Sequence, residues 1–400
     1  MNPSSQTESG LESFAPIAPA TNEATPKAKF SQTTKVFHLI NGEHYSGAER
    51  VQDLLAGALP EFGFEVGFGV TKEGIFGDSR KNHAAPIFDC TMKNRIDIRA
   101  TPKAIKVIEE QGYELIHAHT PRSLMVATAV GRKTGIPVVY HVHSPVGRDS
   151  NRRIINWINT QIEQRNLRRT DAMICVSDSL KHYMQKELGH PEEKLHVVPN
   201  GVPCLHDVIP ERKTPQTTWT IGTVALFRPR KGTEILLEGV AKLRDEGFDV
   251  RVHAVGSFET PEYGVEVLEL SEKLGLTDVI NWTGFTKNAI AEFEKMDLFV
   301  LPSLYGEGLP MVVLEAMASG VTTIAADVEG IPQAIRDRID GLIFEPGNPD
   351  DLAKKVKQMI HGEFDWQGMR QSALMRQRDA FSDNSMAAGV AEVYRAVLAQ

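Results

Sequence analysis

Short apolar, β-branched runs alternate with helical stretches along most of this chain, and the alternation runs through twice. The first series is VFHLI, EVGFGV, APIFDC, ELIHAH, PVVYHVH, AMICVS and LHVVPN; the second is TIGTVALF, DVRVHAVG, VINWTGF, LFVLPS, TTIAAD and GLIFEP. Strands separated by helices are joined by crossovers, which is the pattern of a parallel α/β sheet. A Pro-rich stretch without periodicity, from Pro203 to Thr218, reads as a linker between the two series. The helix after TIGTVALF carries its core stripe at Leu236, Val240 and Leu243, a spacing of i, i+4, i+7. The last helix has Val390, Val393, Tyr394 and Val397 on its apolar side and is expected to cross back onto the first half. The expected organisation is therefore a disordered segment over 1–34, a Rossmann-like domain over 35–205 completed by a returning helix over 385–400, and a second Rossmann-like domain over 206–384. Two such domains facing each other would line one shared cleft with the C-terminal ends of both sheets, where folds of this kind bind ligands.

The chain of 400 residues fits two domains at roughly 150 residues each. Its first 34 residues are rich in Ser, Thr, Pro, Ala and Glu and lack a sustained period, which leaves too little apolar surface to order them. A formal net charge of −8 argues against a general nucleic-acid binder. The three cysteines, Cys90, Cys175 and Cys204, are widely spaced and form no CxxC, as expected for reduced and mostly buried thiols. No apolar stretch reaches the roughly 18 residues of a membrane span, and the N-terminus lacks the charged and apolar regions of a secretory signal. These features lead to the expectation of a cytoplasmic protein.

Chemistry concentrates behind the run LFVLPS. Glu307 and Glu315 bracket the segment EGLPMVVLE, with Gly306 and Gly308 in the intervening turn. Pro310 is expected at the first helical position, where its missing N–H costs nothing. Glu307 then sits in the turn beside a helix N-terminus, whose free N–H groups and positive dipole end suit a phosphate. Glu315 is expected about two turns into the helix. A carboxylate beside an anion site suits a ligand with both phosphates and hydroxyls, such as a nucleotide sugar. The loop FRPRKG, after the first strand of the second series, offers Arg228, Arg230 and Lys231 as cations.

The segment PSLYGEGLPMVVLEAMASG resembles the Glu-x7-Glu signature of the large family-four retaining glycosyltransferases, because the glycines, the proline, both acids and the small-residue tail all fall in register. The resemblance extends to YSGAERVQDLLAGAL, ELIHAHTPRSLMVATAVGRKTGIPVVYHVHS, DAMICVSDSLKHYM and KLHVVPNGV, and so covers nearly all of the chain from Val36 onward. It implies the GT-B fold, two Rossmann-like domains with parallel sheets facing a central cleft, and transfer of a sugar from a nucleoside-diphosphate sugar to an acceptor hydroxyl in glycan or glycolipid synthesis. It further implies that Glu307 meets the donor sugar, that Glu315 meets the ribose, and that Gly47 lies where backbone approaches the donor phosphates. Lys231, with the N–H groups around Gly308, Leu309 and Pro310, would hold the diphosphate. No metal or other cofactor is expected. One departure stands out: the family's arginine, directly after a glycine and about five residues before the lysine, is replaced here by Leu226 after Ala225. Arg228 is the expected substitute, and Arg230 is expected on a solvated face.

Two HxH pairs, His117 with His119 and His141 with His143, end consecutive strand candidates. Residues i and i+2 share a face, so a metal cluster, polar packing at a strand end and a sugar contact are all open to them. By the resemblance, His143 in VVYHVHS is the histidine that faces the donor sugar. The stretch from Arg148 to Arg169 combines six arginines with Ile154, Trp157, Ile158 and Ile162. It reads either as a basic amphipathic helix lying on the inner face of a membrane, suited to a lipid-linked acceptor, or as a core-facing helix with solvated arginines. Two rival functions share the nucleotide site: a GT-B nucleotide-sugar epimerase, and a non-catalytic nucleotide-sugar binding protein.

Overall fold

A computed structural model describes residues 33–93, 97, 99–145 and 164–400. The segment expected to be disordered lies, over residues 1–32, outside the described residues, and so do residues 148–163 of the basic stretch. Seven parallel strands form the first sheet: β1 (Thr34–Ile40), β2 (Phe64–Val70), β3 (Ile87–Asp89), β4 (Leu115–Ala118), β5 (Val138–Val142), β6 (Ala172–Cys175) and β7 (Leu195–Val197). Six parallel strands form the second: β8 (Trp219–Val224), β9 (Val250–Val255), β10 (Ile280–Gly284), β11 (Leu298–Leu301), β12 (Thr322–Ala326) and β13 (Gly341–Phe344). Each apolar run of the sequence holds one of these strands. The protein thus has the expected α/β class, with two parallel sheets.

Strand order in the first sheet is β3-β2-β1-β4-β5-β6-β7, and in the second β10-β9-β8-β11-β12-β13. Both orders reverse direction once, between β1 and β4 and between β8 and β11. At such a reversal the two adjoining crossovers leave on opposite faces, which opens a crevice at the C-terminal strand ends. Whatever follows β1, β4, β8 and β11 is therefore placed where a ligand can enter.

Four helices matter most for the site. Helix α1 (Gly47–Ala58) follows β1, and its Ser46 hydroxyl donates to Glu49 Oε2 at 2.7 Å. This capping contact explains why Ser and Glu stand three residues apart there. Helix α2 (Thr233–Asp245) follows β8 and buries Leu236, Val240 and Leu243, as its spacing requires. Helix α3 (Met311–Ala318) follows β11. Here Pro310 stands one position earlier than expected, at the extended N-cap, and Glu315 is the fifth helical residue, little more than one turn in. Helix α4 (Asp383–Leu398) returns to the first sheet, where Val390, Val393, Tyr394 and Val397 are all buried. Its Tyr394 hydroxyl lies 3.0 Å from His38 Nε2 and 2.6 Å from His117 Nδ1. Cys90 and Cys175 are buried thiols and Cys204 is exposed, all three unpaired. Among the described residues no helix is long and apolar enough to cross a membrane.

Candidate functional site

The loops after β8 and β11 meet, because those strands are neighbours at the reversal point of the second sheet. A short 3-10 turn, Pro229–Lys231, ends at Gly232, whose φ of +64° is a left-handed conformation that glycine adopts without strain. A Cβ at Gly232 would also run into the Pro302 carbonyl, so the two loops touch backbone to backbone there. Lys231 points across this junction, and its ammonium donates to Glu307 Oε1. The Ser303 hydroxyl donates to the same oxygen at 2.7 Å.

Both members of the pair are largely out of water: Lys231's side chain is 13% exposed and Glu307's 6%. Burial pulls the Lys231 ammonium below its usual range, opposed mainly by the Glu307 carboxylate. An isolated ion in such a place would be costly, so each needs the other. The arrangement holds a positive and a negative group side by side at a crevice, next to the N-terminal end of α3.

The two arginines of the FRPRKG loop divide differently from the expectation. Arg228 pairs with Glu259 at 3.2 Å. Arg230, expected on a solvated face, instead lies over the turn that carries Glu307. Its guanidinium donates to the carbonyls of Tyr305 at 3.2 Å and Gly306 at 3.1 Å, and stands 3.6 Å from Glu307 Oε1. Gly306, at φ +81°, leaves room for that guanidinium, and its N–H donates to Glu329 Oε1 at 3.1 Å. Leu226, at the place of the missing arginine, is 46% exposed.

The first sheet supplies the opposite wall. A Cβ at Gly308 would collide with the His143 carbonyl, so these two segments approach at backbone distance. Gly47 faces the start of α3: a Cβ there would lie 3.9 Å from Met311 Cγ. Asn200 Nδ2 donates to the Leu309 carbonyl at 2.8 Å. Glu315 is buried, and one of its oxygens is ion-paired with Arg50 of α1 while the other, Oε2, has no hydrogen-bond partner among the described residues. Burial lowers the Arg50 guanidinium below its usual value. Sequence reasoning missed Arg50, Ser303 and Asn200. Only Arg50 left a signal, standing one helical turn after Gly47.

The two HxH pairs join a fifth histidine, His38 of β1, which is in register with His117 of β4. His38, His117, His119 and His141 are buried and His143 is partly exposed at the cleft end. His119 Nδ1 lies 3.3 Å from His143 Nε2, and His119 Nε2 lies 3.2 Å from His38 Nδ1. Imidazole nitrogens of His119, His141 and His143, and likewise of His38, His117 and His119, lie close enough to hold an ion. The rings of the first trio are nearly parallel, with interplanar angles of 6°, 21° and 26°. Two nitrogens of that trio, His119 Nδ1 and His143 Nε2, already face each other. In the second trio His38 and His117 already share the Tyr394 hydroxyl.

Desolvation, the leading cause at every one of the five rings, holds them all below the ordinary histidine value: His38 is lowered to about 3 and His143 to about 4, and His117, His119 and His141 lie well below it. Below about pH 6.5 the unfolded chain takes up protons that the folded cluster refuses. Stability is therefore complete above that pH and lost as pH falls toward the folded values. At pH 5.5 the loss is about 1.4 kcal/mol at most for each fully buried ring. Urea unfolding at pH 7.5 and pH 5.5 measures it, and equal stability at the two pH values would contradict a neutral buried cluster.

Comparison with known proteins agrees with this layout. The sequence profile described as "Glycosyl transferases group 1" matches residues 207–378, and that described as "Glycosyltransferase Family 4" matches residues 45–204. An Escherichia coli UDP-Gal:alpha-D-GlcNAc-diphosphoundecaprenol alpha-1,3-galactosyltransferase is 23% identical over 80% of this chain and 86% of its own length. Exopolysaccharide phosphotransferase SCO2592 of Streptomyces coelicolor is 29% identical over 48% of this chain, which spans only 20% of that relative. The structure of Anabaena Alr3699/HepE in complex with UDP and glucose superposes with a TM-score of 0.78 at 20% identity, covering 91% of this chain and all 100% of that one. At that identity the likeness speaks for the fold, GT-B.

Proposed function

This chain belongs to the group 1, family 4 glycosyltransferases, and from that premise we propose that it moves a sugar from a nucleoside-diphosphate sugar to an acceptor hydroxyl with retention of anomeric configuration, in the synthesis of a polysaccharide or glycolipid. The observation that carries the proposal is the Lys231–Glu307 pair at the reversal point of the second sheet, beside the start of α3. As the glycosidic bond breaks, negative charge collects on the leaving diphosphate and positive charge on the sugar ring. A fixed cation and a fixed anion a few ångströms apart answer both, and preorganised charge of this kind is usually the largest catalytic term.

In this reading Lys231 and Arg228, with the N–H groups around Gly308, Leu309 and Pro310, hold the diphosphate, and Gly47 lets backbone come close to it. Glu307 contacts the donor sugar hydroxyls and His143 contacts the sugar from the first domain. Glu315 takes the ribose through the oxygen that Arg50 leaves unbonded. Glu307 is tied to a lysine and a serine rather than aimed as a free nucleophile, which favours same-face attack in which a donor phosphate oxygen receives the acceptor's proton. This differs from the two-carboxylate route of retaining glycosidases. The diphosphate is met by protein cations, so the reaction proceeds without a metal. Lipid-linked and glycan acceptors both fit what the relatives' names describe.

Proton NMR of the earliest product tests the stereochemistry. Retention is expected, with most activity surviving EDTA. Inversion would overturn the mechanism, and activity lost in EDTA but restored by zinc or manganese would return the histidine cluster to a catalytic metal role.

Substitutions separate the charged groups. Glu307→Gln should lower kcat by roughly a hundredfold and leave nucleoside-diphosphate affinity nearly intact. Lys231→Ala and Arg228→Ala should each weaken that affinity, since charge-assisted hydrogen bonds contribute about 1.5–3 kcal/mol, or roughly ten- to a hundredfold in Kd. Arg230→Ala frees the turn carrying Glu307 and should act on kcat more than on Kd. Isothermal titration with kinetics decides among them. Full turnover in Glu307→Gln would remove that residue from the mechanism, and an affinity loss confined to Arg230→Ala would move the phosphate contact two residues along.

A further inference from the structure

Four of the five histidines and Tyr394 make one unbroken line of hydrogen-bond contacts. It runs from His117 Nδ1 to the Tyr394 hydroxyl at 2.6 Å and on to His38 Nε2 at 3.0 Å. From His38 Nδ1 it passes to His119 Nε2 at 3.2 Å, and from His119 Nδ1 to His143 Nε2 at 3.3 Å. Both nitrogens of His38 and of His119 are used, so the line passes through those rings rather than ending on them. His141 stands beside it, stacked on His143 with ring centroids 4.3 Å apart, and neither of its nitrogens has a partner among the described residues.

A neutral imidazole carries one proton, on one nitrogen only, and the other nitrogen accepts. When the Tyr394 hydroxyl also donates along the line, every proton must point the same way and two arrangements remain. A third, in which Tyr394 accepts from both His117 and His38, would leave its own buried O–H without an acceptor along the line. In one of the two, His143 Nε2–H donates to His119 and the direction holds to the end, where the Tyr394 hydroxyl donates to His117 Nδ1. That arrangement puts the His117 proton on Nε2, which is buried with no partner among the described residues. In the other, His117 Nδ1–H donates to Tyr394, Tyr394 to His38 Nε2, His38 Nδ1–H to His119 and His119 Nδ1–H to His143 Nε2. His117 Nε2 is then a bare acceptor. A buried N–H without an acceptor is rarer than a buried acceptor left short, so the second arrangement is favoured.

We propose that Tyr394, through His38 and His119, fixes His143 as the Nδ1–H tautomer, so that the side chain reaches its ligand as a donor at Nδ1. Tyr394 is thus a positioning residue for sugar recognition, acting from the last helix of the chain across β1, β4 and β5. Free histidine side chains favour the Nε2–H form, so the line holds His143 in the less common one. The ligand assigned to that donor is a hydroxyl oxygen of the transferred sugar, which rests on the function proposed above. The tautomer itself does not.

The test is 15N NMR of the full-length protein labelled at histidine, with His143→Gln identifying the signal. Wild type should show His143 protonated at Nδ1. Tyr394→Phe uncouples His38 from His117 and leaves the place of the hydroxyl to a water that can accept from His38 Nε2–H. The line can then reverse, and His143 should return to a form protonated mainly at Nε2. The substitution should lower kcat/KM for the nucleotide sugar by roughly tenfold, the scale of one hydrogen bond, with nucleoside-diphosphate Kd unchanged. A purely structural role for Tyr394 would not move the tautomer. Should Tyr394→Phe fold poorly, His38→Gln interrupts the same line and is read in the same way. Wild-type His143 protonated at Nε2, or a tautomer unmoved by either substitution, overturns the proposal. An Nδ1–H signal in a protein that turns over no nucleotide sugar would leave the line standing and sink the functional reading instead.

Discussion

A parallel strand cannot follow its neighbour through a tight turn; the chain must cross over and begin again from the same end. The rest of this protein depends on that constraint. Because every strand starts at one edge, the polar loops that leave the strands all collect at the other. Because the order reverses once in each sheet, two of those loops part and leave a crevice. In the second sheet the parted loops carry Lys231 and Glu307. In the first, the helix after β1 begins at Gly47, and His119 and His143 directly follow β4 and β5. Lys231 and Glu307 stand 76 residues apart in sequence, yet the topology brings them to one cleft.

Electrostatics then decides what such a cleft can hold. Lys231 and Glu307 are largely buried together, and the buried Glu315 is paired with the partly exposed Arg50. Each pair stores a charge that is satisfied without ligand and could be shared with one. Breaking a buried pair by removing one partner is costly, which keeps both carboxylates in place before any donor arrives. The histidine cluster works by the opposite means. Its rings are kept neutral by burial and are ordered by hydrogen bonds rather than by charge.

Much of this was legible in the sequence, for identifiable reasons. Strands buried on both faces are written as continuous apolar runs, so VFHLI or LFVLPS could hardly be anything else. The helix stripe at Leu236, Val240 and Leu243 was readable because its period is local. Glu307, Glu315 and Lys231 stand in motifs whose glycines and prolines mark the turns that carry them. What was hidden came from pairing across long separations. Arg50 reaches Glu315 from another domain, and Tyr394 finds His38 and His117 only once the last helix has returned. Arg230 was misjudged because an arginine in a basic loop looks solvated until the neighbouring turn, with its free carbonyls, is folded beside it. His38 did leave a trace: a polar residue in the middle of a fully buried strand is unusual and asks for a partner.

The central claim is that this cleft binds a nucleoside-diphosphate sugar and activates it. The most direct measurement is a thermal-shift and slow-hydrolysis screen of the whole protein against UDP-, GDP- and ADP-sugars. A ligand that binds only the folded state at a hundred times its Kd adds about 2.7 kcal/mol of stability. One base should therefore raise the melting temperature clearly above the others, and its sugar should be released slowly to water. If no nucleotide sugar stabilises the protein or is hydrolysed, the reading of the Lys231–Glu307 cleft as a donor site is wrong.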